Sequence, residues 1–408
     1  MNVLFLSLSK IKDIDEHGIY SDLMREFAKN EHEVFIVSPT EKRDGENTIL
    51  IEPKSSDWHK NVHILQLKTG NITSTRNLIE KGISTLVIEW QITNGIKKYF
   101  PEVKFDLVLY ATPPITLVKP IKYIKKRDGA KSYLMLKDIF PQNAVDLGMM
   151  STTGAKGFIY KYFRKKEKKL YAISDMIGCM SPANVKYVLD HNPEIPKEKV
   201  EVCPNAIEVQ DMSITEDERI SLRNKYSIPL DKKVFVYGGN LGKPQGIPFV
   251  IECLKKCSDI KEAFFLIVGS GTEYRLLSRY VEIEKPAHVK LMQSLPKGDY
   301  DRLVAACDVG MIFLDYRFTI PNFPSRLLAY MQAGLPVLAC TDPNTDIGKV
   351  ITEGEFGWWC ESKDVEAFIR VNKEIIANTI NCSDKEQMLL SQKYSVEFAY
   401  KTILRGLL

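Results

Sequence analysis

Short runs rich in β-branched and aromatic residues alternate with stretches of helical period along the whole chain. In the first half the predicted strands are Val3–Ser7, Glu33–Ser38, Val62–Leu67, Asp106–Tyr110, Ser132–Leu136, Met176–Met180 and Val200–Cys203. In the second half they are Val234–Tyr237, Phe264–Val268, Val289–Met292, Val309–Leu314 and Pro336–Ala339. Alternation of such runs with helical stretches argues for parallel sheets with helices on both faces. The intervening stretches start as helices do: Gly246–Leu254 sets Ile247, Val250, Ile251 and Leu254 at helical spacing. The fold class is α/β, with two Rossmann-like, doubly wound parallel-sheet domains. The charged segment Pro204–Lys232 is the expected break, giving domains over 1–205 and 206–385. The last run, from Tyr394, reads as a helix capped at Ser395 with Glu397 and Lys401 paired one turn apart.

Bulk properties agree with two cores. The chain has 408 residues, 44% hydrophobic and 26% charged, as in an ordinary soluble protein. A net charge of +4 is too small to argue for nucleic acid. At the start, MNVLFLSLSK, apolar residues precede the lysine, the reverse of a secretory signal, and no run reaches the roughly 18 apolar residues of a membrane helix. The eight cysteines are scattered, mostly inside apolar runs, and read as reduced core thiols of a cytosolic protein. Cys253 and Cys257 lie one turn apart without a second His or Cys pair, so no zinc site is expected.

Four segments bear on chemistry. Phe313–Cys340 runs from a strand through a loop with Pro321 and Pro324 into a helix that Gly334 closes. Such a strand–loop–helix turns a positive helix end towards the sheet's carboxyl edge, and Arg326 in its first turn points to a phosphorylated ligand. Gly239-Asn240-Leu241-Gly242-Lys243-Pro-Gln-Gly follows the strand ending at Tyr237; its glycines admit a ligand to the backbone, and Lys243 adds a cation. It lacks the spacing of the dinucleotide fingerprint, and a plain βα turn is its other reading. Gly269 and Gly271 make a similar, weaker turn, as apt to be a plain turn as a contact. In the first half, Lys137-Asp138-Ile-Phe-Pro-Gln-Asn143 sets a carboxylate just past a buried strand. Asp138 there puts an anion at the sheet's carboxyl edge, or serves simply as a helix cap.

The stretch PSRLLAYMQAGLPVLA resembles the donor-site helix of GT-B glycosyltransferases, specifically the family 4 enzymes that build bacterial capsule and O-antigen sugars. The loop from Gly239 resembles that family's G-N-x-G-x-x-Q-G turn, and the Asp138 segment looks like its R-D-x-W-P-E-S-A-x-x-L-G stretch. One departure stands out: the family's two donor-site glutamates fall on Pro321 and Ala329. The resemblance implies a GT-B fold, two domains facing across a cleft, with the segment 386–408 crossing back onto the first. It implies a donor site of Gly18, Gly239, Asn240, Leu241, Gly269, Gly271, Pro324, Ser325 and Asp346, with Lys243, Arg326 and Asp138 catalytic. Asp342–Asp346 reads equally as a strand-ending turn.

The implied activity is transfer, with retention, of a hexosyl or N-acetylhexosaminyl group from a nucleotide-diphosphate sugar. The expected acceptor is a hydroxyl of a lipid-linked saccharide in cell-surface polysaccharide biosynthesis. A uridine donor is expected ahead of a guanosine one, with neither metal nor other cofactor. The pair Asp13 and Asp15 spells a DxD but precedes a helix rather than following a core strand, and is not read as a metal site. Residues 156–169 interleave aromatics with seven basic residues and one acidic residue. Phe158, Tyr162, Lys161, Arg164, Lys165 and Lys168 there suit an anionic bilayer, placing the protein peripherally at the inner face of the cell membrane; a solvated charged face is the alternative. No nucleic-acid partner is expected. Two rival functions stay open: a transferase-like subunit serving as scaffold, motivated by the lost glutamates, and a nucleotide-sugar 2-epimerase on the same architecture.

Overall fold

The computed structural model describes residues 1–55, 57–72, 78–378 and 383–407. They form two units, one of Met1–Glu208 with Val396–Leu408 and one of Val209–Ser395.

Unit 1 opens with β1 (Asn2–Leu6), α1 (Ile19–Lys29), β2 (Glu33–Glu41), β3 (Ile49–Ile51), β4 (Val62–Thr69) and α2 (Leu78–Tyr99). It continues with β5 (Leu107–Ala111), α3 (Val118–Asp128), β6 (Lys131–Leu136), α4 (Gln142–Asp146), α5 (Gly154–Ile173), β7 (Met176–Cys179), α6 (Pro182–His191) and β8 (Val200–Val202). The sheet order is β3-β4-β2-β1-β5-β6-β7-β8. Every pairing is parallel except β3 with β4. Alternate residues of the central strands feed two cores: Leu4, Leu6, Val108 and Leu134 join the layer of α2, α3 and α5, while Val3, Phe5, Leu107 and Met135 join that of α1.

Unit 2 runs through α7 (Glu216–Lys225), β9 (Lys233–Asn240), α8 (Ile247–Lys256), β10 (Ala263–Ser270), α9 (Tyr274–Glu284), β11 (Val289–Met292) and α10 (Lys297–Ala305). Then come β12 (Val309–Phe313), α11 (Arg326–Gln332), β13 (Val337–Thr341), α12 (Ile347–Glu353), β14 (Gly357–Glu361), α13 (Val365–Ala377) and α14 (Ser383–Lys393). Its all-parallel sheet is ordered β11-β10-β9-β12-β13-β14. Both sheets are doubly wound.

Two strands escaped the sequence pattern. β3 is a short, half-exposed edge, and β14, Gly-Trp-Trp-Cys-Glu, is only half buried, so neither forms a continuous apolar run. β9 and β10 run further than expected, through Asn240 and Ser270, because their glycine-bearing ends pair with each other. The C-terminal segment divides at Ser395. α14 packs against α11 in unit 2, and the last helix, α15 (Val396–Leu407), packs against α1 in unit 1. Tyr400 anchors α15: its ring meets Phe27 edge-on at 4.9 Å, and its hydroxyl lies 2.9 Å from His32 Nε2. The seven described cysteines are buried and free; Cys382 lies outside the described residues.

Candidate active site

In unit 2 the strand order turns back between β9 and β12, and the carboxyl ends beside such a reversal form a ligand crevice. Arg326, the first residue of α11, stands there. Its guanidinium carbon lies 4.2 Å from the centre of the Tyr237 ring, a cation–π stack. Tyr237 is fixed in turn, since its hydroxyl donates to the Asn240 carbonyl at 2.8 Å. Two more tyrosines close the cage. The Tyr330 hydroxyl reaches the carbonyls of Val236 and Met311 at 3.2 and 3.1 Å. Tyr300 packs where a Cβ on Gly238 would come within 1.8 Å of its hydroxyl. Burial pushes the Tyr330 phenol up to about 12, and those of Tyr237 and Tyr300 upward as well, so all three stay neutral. Among the described residues no carboxylate pairs with Arg326, and its Nη1 is buried without an acceptor. A desolvated guanidinium with a bare nitrogen is costly unless a ligand supplies the anion.

The glycines divide by role. Gly239, at φ 115°, is open: an added Cβ there would meet only Arg326 Nη2, at 3.9 Å. Gly269 and Gly271 instead admit neighbouring backbone, since a Cβ would fall 2.0 Å from the Gly239 carbonyl oxygen and 2.4 Å from that of Leu241. Asn240 and Leu241 hold the loop. Asn240 Nδ2 and the Gly242 N–H both donate to Gln245 Oε1, at 3.1 and 3.0 Å. Leu241 is bonded to Ser270 and Glu273 through its own backbone. Lys243 lies exposed on that loop with no ion pair among the described residues. Pro324 and the exposed Ser325 lead directly into α11. Asp346 opens α12, at the end of the next strand over. Ahead of it Asp342 ends β13 locally, its Oδ1 accepting the N–H groups of Asn344 and Thr345 at 2.9 and 3.2 Å.

Unit 1 holds the remaining candidates. Asp138 follows β6 and is not a helix cap; both its oxygens accept from Asn143 Nδ2 at 2.8 Å. Burial outweighs those bonds and raises its carboxyl to about 6. Gly18 precedes α1, and its N–H donates to Asp22 Oδ1 at 2.9 Å. Asp13 and Asp15 are both bonded to Lys54, which already supplies their cation. Atoms of His17, Asp22 and Glu208 lie within 4.8 Å of one another. Arg25 occupies that centre, with Nη2 2.9 Å from both His17 Nδ1 and Glu208 Oε2.

Helix α5 presents its apolar side chains in two directions. Leu170 is fully buried and Phe163 packs edge-on against Phe140 at 5.1 Å, while Phe158, Ile159 and Tyr162 are exposed, Phe158 by 76%. Arg164 does not join the basic face; it is bonded to Glu167 at 2.6 Å and to Asn192 at 2.6 Å. Lys168 pairs with Glu194 and Lys166 with Glu89, leaving Lys161, Lys165 and Lys169 exposed. No described helix is long and apolar enough to cross a membrane.

Sequence reasoning missed the tyrosine cage and the burial of Lys137. An aromatic directly before two glycines at a strand end was the available signal for Tyr237.

Comparison with known proteins decides the class. Residues 218–392 match the model for glycosyl transferases group 1. The chain has the GT-B fold and is similar to these glycosyltransferases. Over 293 residues, 71% of each chain, the transferase is 24% identical to the probable glycosyltransferase WbjE of Pseudomonas aeruginosa. It is 22% identical, over 63% of each chain, to WcaI of Escherichia coli K12, a putative colanic acid biosynthesis glycosyl transferase. The transferase superposes on sucrose-phosphate synthase of Thermosynechococcus elongatus with a TM-score of 0.75 at 14% identity, covering 99% of one chain and 98% of the other. HepE of Anabaena, solved in complex with UDP, gives 0.67 at 16% identity, over 100% of this chain and 99% of its own.

Proposed function

We propose that the transferase moves a hexosyl or N-acetylhexosaminyl group from a nucleotide-diphosphate sugar to a hydroxyl of a lipid-linked saccharide. The anomeric configuration is retained, and the product serves cell-surface polysaccharide biosynthesis. The observation that carries this reading is Arg326, stacked on Tyr237 with a buried, unanswered nitrogen beside the open backbone of Gly239. A diphosphate supplies the missing charge. As the bond from the anomeric carbon to the diphosphate oxygen breaks, Arg326 and mobile Lys243 stabilise the departing anion, with help from the first turn of α11. Asp138, its carboxyl raised to about 6 by burial, holds the acceptor hydroxyl and accepts its proton as the new bond forms. No step calls on a metal or other cofactor. A uridine nucleotide is the preferred donor, and the complexes of HepE with UDP and with UDP-glucose support it.

Phe158, Ile159 and Tyr162 of α5, ringed by Lys161, Lys165 and Lys169, fit an anionic bilayer surface at the cytoplasmic face of the membrane. A lipid-linked acceptor presents itself there.

Isothermal titration with uridine, guanosine and thymidine diphosphates tests the donor site. Saturable binding of UDP is expected, and Arg326→Ala lowers both that affinity and transfer by about tenfold or more with folding intact. Unchanged turnover removes Arg326 from the site; binding of none of the three favours a scaffold that has lost the donor, the reading prompted by Pro321 and Ala329.

A further inference from the structure

The carboxyl edge of the unit 1 sheet holds a group the reaction above leaves idle. Lys137 is the residue just past β6, and its backbone N–H donates to Thr112 Oγ1 at 3.0 Å. Its Nζ is buried and has no hydrogen-bond partner among the described residues. Asp138 does not answer the charge, because Asn143 Nδ2 holds both carboxylate oxygens. Cys179 and Cys203 adjoin the amine, and burial keeps both thiols protonated. The same burial pulls the amine down to about 8. A lone ammonium in such surroundings is expensive without a counter-ion.

A second unanswered group lies on this edge. The Cys203 N–H donates to the Cys179 carbonyl at 2.7 Å, and the N–H of Glu208 donates to Asp22 of α1 at 3.1 Å. Because α1 follows β1, the residues between Cys203 and Glu208 run back across the carboxyl ends of β7, β6 and β5. Asn205 sits on that crossing, 8% exposed, with its Oδ1 buried and unpartnered. Beside Asp138, Asn143 Oδ1 is likewise buried and unpartnered. One donor cation and two amide acceptors in this part of unit 1 are therefore buried without a hydrogen-bond partner among the described residues.

We propose that Lys137 and Asn205 form a phosphate subsite for the acceptor, the ammonium taking the phosphate next to the sugar and the amide oxygen a hydroxyl of that sugar. The proposal rests on the reading of Asp138 as the group that holds the attacking hydroxyl. Lys137 and Asp138 are consecutive just past the end of β6, and on the proposal phosphate and attacked hydroxyl belong to one pyranose. The accepting sugar is thus the one that carries the phosphate. A transfer of a sugar phosphate onto a lipid phosphate is the class of reaction that supplies such an acceptor.

The test uses the full chain with its donor site filled by UDP. Geranyl diphosphate, inorganic pyrophosphate and neutral geraniol are titrated into it calorimetrically. Geranyl diphosphate is expected to bind, geraniol not to, and Lys137→Met to weaken the diphosphate at least tenfold while leaving UDP affinity unchanged. Lys137→Arg keeps binding within about threefold. Equal binding of pyrophosphate supports a subsite for the phosphate alone; tighter geranyl diphosphate supports a lipid carrier. No binding by the UDP-loaded wild type overturns the proposal, as does equal binding by folded Lys137→Met. If Lys137→Met does not fold, Asn205→Asp, which sets a carboxylate against the ligand, must bring the same loss or the proposal fails. A wild type that does not bind UDP fails the donor reading separately; loss of geranyl diphosphate in Arg326→Ala but not in Lys137→Met moves the anion to unit 2 and overturns the subsite.

Discussion

Arg326 gains its function from what surrounds it and from what is missing beside it. A surface arginine is hydrated and finds carboxylates readily; this one is backed by three neutral phenols and pairs with no carboxylate among the described residues. A desolvated cation–π contact contributes about 2 kcal/mol. Tyr237→Leu is therefore expected to weaken UDP binding by about tenfold, whereas Tyr237→Phe, which keeps the ring, stays within about threefold of wild type. Equal losses in the two variants, measured by calorimetry, would assign the effect to the hydroxyl and the Asn240 carbonyl instead. Asp138 makes an independent prediction. Its carboxyl titrates near 6 in the fold and near 4 in the unfolded chain. The folded state therefore favours the proton, a contribution present in full below about pH 4 and lost as pH rises through about 6. Asp138→Asn should abolish most transfer yet stabilise the protein at pH 7.5 by up to about 3 kcal/mol, the gain vanishing near pH 4. Urea unfolding at the two pH values reads this directly, and a less stable variant at pH 7.5 would contradict it.

At the scale of elements, the apolar runs located most strands because β1, β5, β9 and β12 are buried on both faces. β14 escaped notice because Trp359 is 38% exposed and only Cys360 of its five residues is buried. The site was legible where it is local: Gly239, Lys243 and Arg326 announce themselves by type and by turn. What was not legible depends on distant chain. Tyr237 under Arg326 comes from a strand three crossovers earlier, and Lys137 is adjoined by Cys179 and Cys203. Arg223 in α7 makes the same point about stability. Fully buried, it donates to the Ala306 carbonyl at 2.8 Å and pairs with Asp308 at 2.7 Å, where Asp308 also accepts the Val234 N–H at 2.6 Å. That clamp fastens the segment entering unit 2 to the starts of β9 and β12. Asp308→Ala leaves the guanidinium buried and unpaired, and is expected to cost about 3–5 kcal/mol in a denaturant titration, against under 1 kcal/mol for the exposed pair Lys349–Glu353.

The molecule as a whole carries its exposed apolar residues unevenly. Phe158, Ile159 and Tyr162 cluster with three uncommitted lysines on α5. Vesicles rich in phosphatidylserine should pellet the wild type, and the combined change of Phe158 and Ile159 to Ser with Lys161 and Lys165 to Glu should reduce pelleting several-fold at 0.1 M salt. Equal pelleting of both versions would leave α5 a solvated face. One further consequence follows from α15 lying on α1. Unit 2 is an insertion within unit 1, so during synthesis every residue of 209–395 is made before the helix that completes unit 1. At about 5–20 residues per second, the first-made half waits on the order of ten seconds or more, with the surface that receives Val396, Ala399 and Ile403 uncovered. The later-made half needs no segment made after it.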